Sequence, residues 1–286
     1  MKERIYQLNE LAARWFVQNL NGEPLDYCLR ERQMNPQTIK KFELGYAPDE
    51  WQALYDYLRS MGFTEQEIEA SKVCLRSKKT GNLFDFYKDR IIFPIRNLHG
   101  ACIGFGGRTW RKGDDRPKYI NTSETEAYHK GSTLYGLCYV PKPCRDLIIC
   151  EGYMDCIALQ SRGFVNAIAG LGTALTLKQA LLIQSFTQNV YLLYDSDSAG
   201  MEATKKAIEK FAEIGINPKI AVVIGAKDAD EYFKKYPPQR FAQDILGKPL
   251  SVFDFNLRYN EVKYKDNPSL QYQRNLNTVM GELLKM

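Results

Sequence analysis

From residue 146 onward the sequence alternates short apolar runs with amphipathic ones. DLIICEG precedes YMDCIALQSRG, NAIAGLG precedes TLKQALLIQSF, NVYLLYD precedes SAGMEATKKAIEKFAEIG, and KIAVVIG precedes ADEYFKKYPPQRFAQDIL. Strands separated by helices point to a parallel sheet with helices on its faces. Gly215 and Asn217-Pro218 end the third helix, as glycine and proline do past a helix C-terminus. The fourth helical run contains Pro237-Pro238, so it is helical only in part.

Three of these four strands end in acids. The first runs into Glu151-Gly152 with Asp155 following, the third into Asp195-Ser196-Asp197, and the fourth through Lys227 to Asp228-Ala229-Asp230. One such acid after a strand is an ordinary turn or N-cap residue. Three strands of one parallel sheet, however, deliver their tips to a common edge, where ligands of open α/β sheets gather. So many anions in one place call for a counter-cation. A hard divalent ion with oxygen ligands answers that need, and two such ions suit phosphoryl transfer.

The first 71 residues read as small packed helices. Ile5, Leu8, Leu11, Ala12, Trp15 and Phe16 keep helical spacing, Asn35-Pro36 opens a short helix that Gly45 ends, and Thr64 with Glu67 forms a capping box. From 73 the texture turns to β. VCLRS and LFDFY flank a Gly-Asn turn, DRIIFPIRN and ACIGFGGRTW flank LHG, and KYIN at 118–121 reads as one further strand. This segment holds the positive charge: residues 72–118 contain twelve Lys/Arg against four Asp, in a chain of net charge +5. Charge alone leaves two readings open, a polyanion-binding lobe or a solvated surface.

Several classes are excluded. No run of about 20 apolar residues is present to span a bilayer, and MKERIYQLNE has no apolar signal region. The seven Cys are odd in number. Cys138, Cys144, Cys150 and Cys156 recur every six residues without a CxxC pair or neighbouring His, so they read as buried thiols in a reducing compartment, the cytoplasm, rather than as a zinc site. GFGGR lacks the spacing of a dinucleotide loop and sits in a hairpin.

E-G-Y-M-D at 151–155, Y-D-S-D-S-A-G at 194–200 and K-D-A-D-E-Y at 227–232 resemble the toprim signature, which primases, topoisomerases and certain nucleases share. Upstream, D-R-I-I-F-P-I-R (89–96), I-G-F-G-G-R (103–108), P-K-Y-I-N-T (117–122), H-K-G (129–131) and L-Y-G-L (134–137) resemble, in order, motifs of the bacterial DnaG-type primase, as does A-G-L-G-T-A-L-T (169–176). The resemblance spans roughly residues 1–260. Ser196 and Ala229 stand where the family usually has Gly and Pro.

The resemblance implies the RNA polymerase core of a primase, which joins ribonucleoside triphosphates on a single-stranded DNA template. The implied fold is an α+β N-terminal basic lobe (1–143), an α/β toprim domain with a parallel sheet flanked by helices (144–248), and a helical C-terminal tail (249–286). Glu151, Asp195 and Asp197 match the catalytic metal positions, with Asp155, Asp228 and Asp230 completing the acid set. The expected cofactor is two or more Mg²⁺ or Mn²⁺ ions, with no zinc in this stretch. Lys118 and Lys130 match lysines near the nucleotide, while Arg90, Arg96, Arg108, Tyr119 and Asn121 are expected along the template. The family docks on a replicative helicase through a further C-terminal domain, and a monomer is expected. A topoisomerase would need a catalytic tyrosine in a cleavage domain. A haloacid-dehalogenase-type phosphatase would leave Glu151 unexplained, and a non-enzymatic scaffold would have no use for intact acids at every position.

Overall fold

A computed structural model describes residues 1–172 and 174–284. Thr173, within the 169–176 motif, and Lys285-Met286 lie outside the described residues. Two units emerge, Met1–Cys138 and Tyr139–Met286.

The first unit opens with α1 (Lys2–Asn19), whose buried residues Ile5, Leu8, Ala12 and Phe16 form the expected stripe. Next come α2 (Gly22–Asp26), which continues into a π-helical turn, and α3 (Pro36–Lys41). The Asn35 side chain caps α3, accepting the Thr38 N–H at 2.7 Å. Then follow β1 (Gly45–Ala47), α4 (Ala53–Ser60) and α5 (Glu65–Ser71). The capping box of Thr64 and Glu67 is formed at the start of α5. The hairpins appear as expected: β2 (Cys74–Arg76) pairs with β3 (Leu83–Asp85), and β4 (Arg90–Arg96) with β5 (Cys102–Arg108). β6 (Tyr119–Asn121) adds to β5, giving an antiparallel sheet ordered β1-β4-β5-β6.

Gly45 corrects one expectation. It does not end a helix; it starts β1, opposite Ile92. A Cβ there would fall 2.5 Å from the Phe16 Cβ, so α1 lies against β1 at a separation only glycine allows. Phe16 then packs edge-on against Phe105 of β5, ring centroids 5.3 Å apart. These contacts join helix and sheet in one apolar core.

The second unit contains β7 (Leu147–Cys150), α6 (Tyr153–Gln160), β8 (Ala167–Ala169), α7 (Leu177–Gln184), β9 (Val190–Leu193), α8 (Ser198–Ala212) and β10 (Lys219–Ile220). After them come α9 (Ala229–Lys235), α10 (Pro238–Phe241), a second π-helical turn, α11 (Val252–Lys263) and α12 (Pro268–Leu283). All strand pairs are parallel and the sheet order is β10-β9-β7-β8. The chain steps from β7 to β8 on one side, then returns to place β9 on the other. The topological switch point therefore falls between β7 and β9.

The run KIAVVIG forms only a two-residue strand at the sheet edge, where Leu250 bridges to Ile220 on the outer side. The C-terminal helices are part of this unit. Phe255 and Tyr259 of α11 are buried, and the Tyr259 hydroxyl reaches Glu202 of α8 at 2.5 Å. None of the described helices is long and apolar enough to cross a membrane.

Candidate metal centre and basic strand

Cys150 of β7 lies in register with Leu193 of β9, so Glu151 and Asp195 leave the sheet side by side at the switch point. Glu151 Oε1 accepts the Asp195 N–H at 3.0 Å, tying the first acid motif to the second. Asp197 caps α8, its Oδ1 accepting the Gly200 N–H at 2.9 Å. A Cβ at Gly200 would lie 2.0 Å from the Asp195 carbonyl oxygen. The glycine of the D-S-D-S-A-G run is thus what lets the helix start directly against the strand end.

The third acid pair behaves differently at its two positions. Asp228 caps α9, accepting the Glu231 N–H at 2.7 Å. Asp230 is buried and its Oδ2 pairs with Lys234 at 3.1 Å. Asp155, in the first turn of α6, accepts the Asp230 N–H at 3.4 Å. Five acids thus face the switch point or border it, while the Asp230 carboxylate is already committed to a lysine.

The electrostatics carry the signature of crowded anions. Burial, then the negative charges of Asp228 and Asp195, push Asp155 up to about 8. Burial followed by Asp228 also raises Asp195. Glu151 is raised by burial and by Asp195 and Asp197, against the lowering effect of its backbone hydrogen bond. One cation relieves Asp195 and Glu151: Lys227 Nζ stands 3.6 Å from Asp195 Oδ2 and 3.7 Å from Asp197 Oδ2. Among the described residues no three His, Cys, Asp or Glu side chains are gathered closely enough to hold a metal as they stand. The donor set nevertheless fits a hard divalent ion: oxygen ligands only, mutually repelling, already drawn to a stand-in cation. The seven cysteines are free thiols, five of them buried.

Two arginines of the basic strands are tied to oxygens of the first unit. Arg90, 3% exposed, donates to the carbonyl oxygens of Pro117 (2.8 Å), Gly107 and Lys118. Arg96 is clamped by Glu10 Oε1 at 2.7 Å and Glu43 Oε2 at 2.5 Å. Buried Arg90 and half-buried Arg96 therefore spend donors on oxygens of the first unit itself. Arg108 is also buried, stacked 5.2 Å over the Tyr119 ring and bonded to its hydroxyl, with Nε left unpartnered. Lys118 is exposed, and Tyr119 and Asn121 stand half-buried on β6, the edge strand. Lys130 is half-buried in a short 3-10 turn.

Much of the basic charge is answered within the first unit. Arg76 pairs with Glu65 and Glu69, and Arg116 with Asp114 and Asp89. Sequence reasoning missed Asp89, a buried carboxylate that receives Tyr46, Trp110, Arg111 and Arg116. Nor does the K-D-A-D-E-Y run by itself give Lys227 a role. The only local signal was a lysine immediately before the acid pair.

A family model for the DNA primase catalytic core, N-terminal domain, matches residues 15–140, and a Toprim-like model matches residues 148–233. The DNA primase of Clostridium acetobutylicum is 37% identical over 98% of this chain and 47% of its own length. The chain thus spans about half the length of the curated relatives it matches. Among solved structures, the RNA polymerase domain of Mycobacterium tuberculosis primase DnaG superposes with a TM-score of 0.87 at 25% identity, covering 98% of this chain and 93% of that one. A DnaG primase catalytic domain bound to single-stranded DNA gives a TM-score of 0.78 at 30% identity, covering 88% and 81%.

Proposed function

Since the chain belongs to the family of DnaG-type DNA primases, we propose that it is a primase catalytic core that makes short RNA primers on single-stranded DNA from ribonucleoside triphosphates. The observation that carries this is the meeting of Glu151 and Asp195 at the tips of β7 and β9, with the Lys227 ammonium beside Asp195 and Asp197. Glu151, Asp195 and Asp197 would hold the divalent ions, two or more Mg²⁺ or Mn²⁺, with Asp228 and Asp155 bordering them. Bound there, such ions supply positive charge to the attacking 3′-hydroxyl and to the leaving pyrophosphate.

The chain's own groups do the rest. The Asp195 amide fixes Glu151 through its hydrogen bond, so the first ligand is positioned by the backbone of the second. Helix α8 fixes Asp197 by its cap. Asp230, held by Lys234, supports Asp155 through its backbone N–H. On β6, Tyr119 offers an aromatic face backed by Arg108, and Asn121 an amide, for an unpaired base. Lys118 and Lys130 supply cations to the triphosphate.

The test is primer synthesis with NTPs, a single-stranded template and Mn²⁺. Wild-type protein is expected to release pyrophosphate and extend RNA, and Asp195→Ala to lose about 10²–10³-fold or more. A wild-type chain that binds template but forms no phosphodiester bond in this assay would sink the reading.

A further inference from the structure

The Lys227 ammonium touches two acids of the site at once, and nothing in the proposed reaction uses it. Among the described residues no other Lys, Arg or His forms an ion pair with Asp195 or Asp197. Its backbone is fixed, because the Lys227 N–H donates to Glu231 Oε2 at 3.0 Å and the next residue caps α9. Its side chain is not fixed: it is 59% exposed, and both contacts are longer than a direct charge-assisted hydrogen bond. A mobile cation on a rigid base therefore sits between the two carboxylates.

We propose that Lys227 is a tethered counter-ion that occupies the Asp195/Asp197 pair until a divalent cation displaces it, and so sets the cation concentration at which the site fills. The inference rests on the metal-site reading above. Mg²⁺ or Mn²⁺ takes carboxylate oxygens at about 2.0–2.2 Å. An ammonium held by the same oxygens competes with the ion for them and repels it. A loose, exposed ion pair is weak and salt-screened, so the lysine yields to a dication without a large barrier. Until then it keeps neighbouring anions from facing one another unscreened, which a site built from strand tips cannot otherwise avoid.

The experiment is calorimetric titration of the whole chain with Mn²⁺ alone, without nucleotide or template. Lys227→Met is compared with wild type, with the charge-retaining Lys227→Arg, and with Lys210→Met, which removes an exposed charge at the far end of α8. Folding of each variant is checked by circular dichroism. Lys227→Met is expected to bind Mn²⁺ about three- to tenfold more tightly than Lys210→Met, and Lys227→Arg to show no gain. If wild type binds Mn²⁺ and Lys227→Met binds it equally or more weakly, or if Lys227→Arg gains as much as Lys227→Met, the counter-ion role is overturned while the metal site stands. If neither wild type nor Lys227→Met binds Mn²⁺, the metal-site reading fails and takes this inference with it.

Discussion

Gly200 leaves no room for a side chain, because a Cβ would meet the Asp195 carbonyl at 2.0 Å, backbone against backbone. Gly200→Ala must therefore push α8 away from β9. We expect a loss of about 1–3 kcal/mol in urea unfolding, together with loss of Mn²⁺ binding as Asp197 is carried off with its helix. Asp195→Ala acts in the opposite direction on stability. It removes an anion that burial and its neighbours already disfavour, so the metal-free protein should melt no lower than wild type even as primer synthesis disappears. Arg96→Ala separates architecture from nucleic-acid contact. Removing the clamp leaves Glu10 and Glu43, both partly solvated, without their shared cation, at about 1–2 kcal/mol of stability. A variant that unfolds normally but fails to bind template would make Arg96 a template contact.

At the scale of elements, β6 is the segment whose role is most exposed to test. It is three residues long, lies at the sheet edge, and presents Tyr119 and Asn121 beside Lys118. Tyr119→Ala is expected to weaken single-stranded DNA by about 1–3 kcal/mol at every salt concentration, the value of one stacked base. Lys118→Ala, at the triphosphate, should instead weaken NTP binding and leave the salt slope for template unchanged. Fluorescence anisotropy with labelled template and with labelled NTP, at four salt concentrations, distinguishes the two. A template slope flattened by about 0.7 in Lys118→Ala would move this lysine to the phosphates of the single strand.

For the whole molecule, the two units should answer pH with opposite signs. In the second unit Asp155, Glu151 and Asp195 have folded values above their unfolded ones. Folding therefore favours their protonated forms, and metal-free stability rises as pH falls from about 8 toward 4. In the first unit, burial opposes the charge of Glu10 and Asp89, yet Arg96 and the amide of Cys102 for Glu10, and Trp110, Tyr46 and Arg111 for Asp89, hold both below the usual carboxylate range. Their contribution is present above the unfolded value and is lost as pH falls through the folded one. Asp85, raised to about 6 by burial, works against this trend but finishes titrating before it begins. Hydrogen exchange in EDTA should show protection over 147–233 growing between pH 8 and 5, and protection over 1–138 collapsing first below about pH 4. Saturating Mn²⁺ should abolish the growth, because the ion holds the acids ionised.

What could be read from the chain alone was whatever depends on neighbours in sequence. The strand–helix alternation after 146, the two hairpins, and the Thr64/Glu67 box all rest on local periodicity, turn chemistry or capping, and the structure contains each. The acid motifs could be read for the same reason, since a strand tip followed by Asp is a local event. What the tertiary structure decided involves partners far apart in sequence. Arg96 meets Glu10 of α1 and Glu43 of the segment before β1, Gly45 meets Phe16 of α1, and β1 exists only because β4 offers it an edge. The order β10-β9-β7-β8 brings Glu151 to the Asp195 amide and Lys227 to both aspartates. No local pattern encodes strand order, because it is set by which helices and sheet faces bury the most apolar surface together.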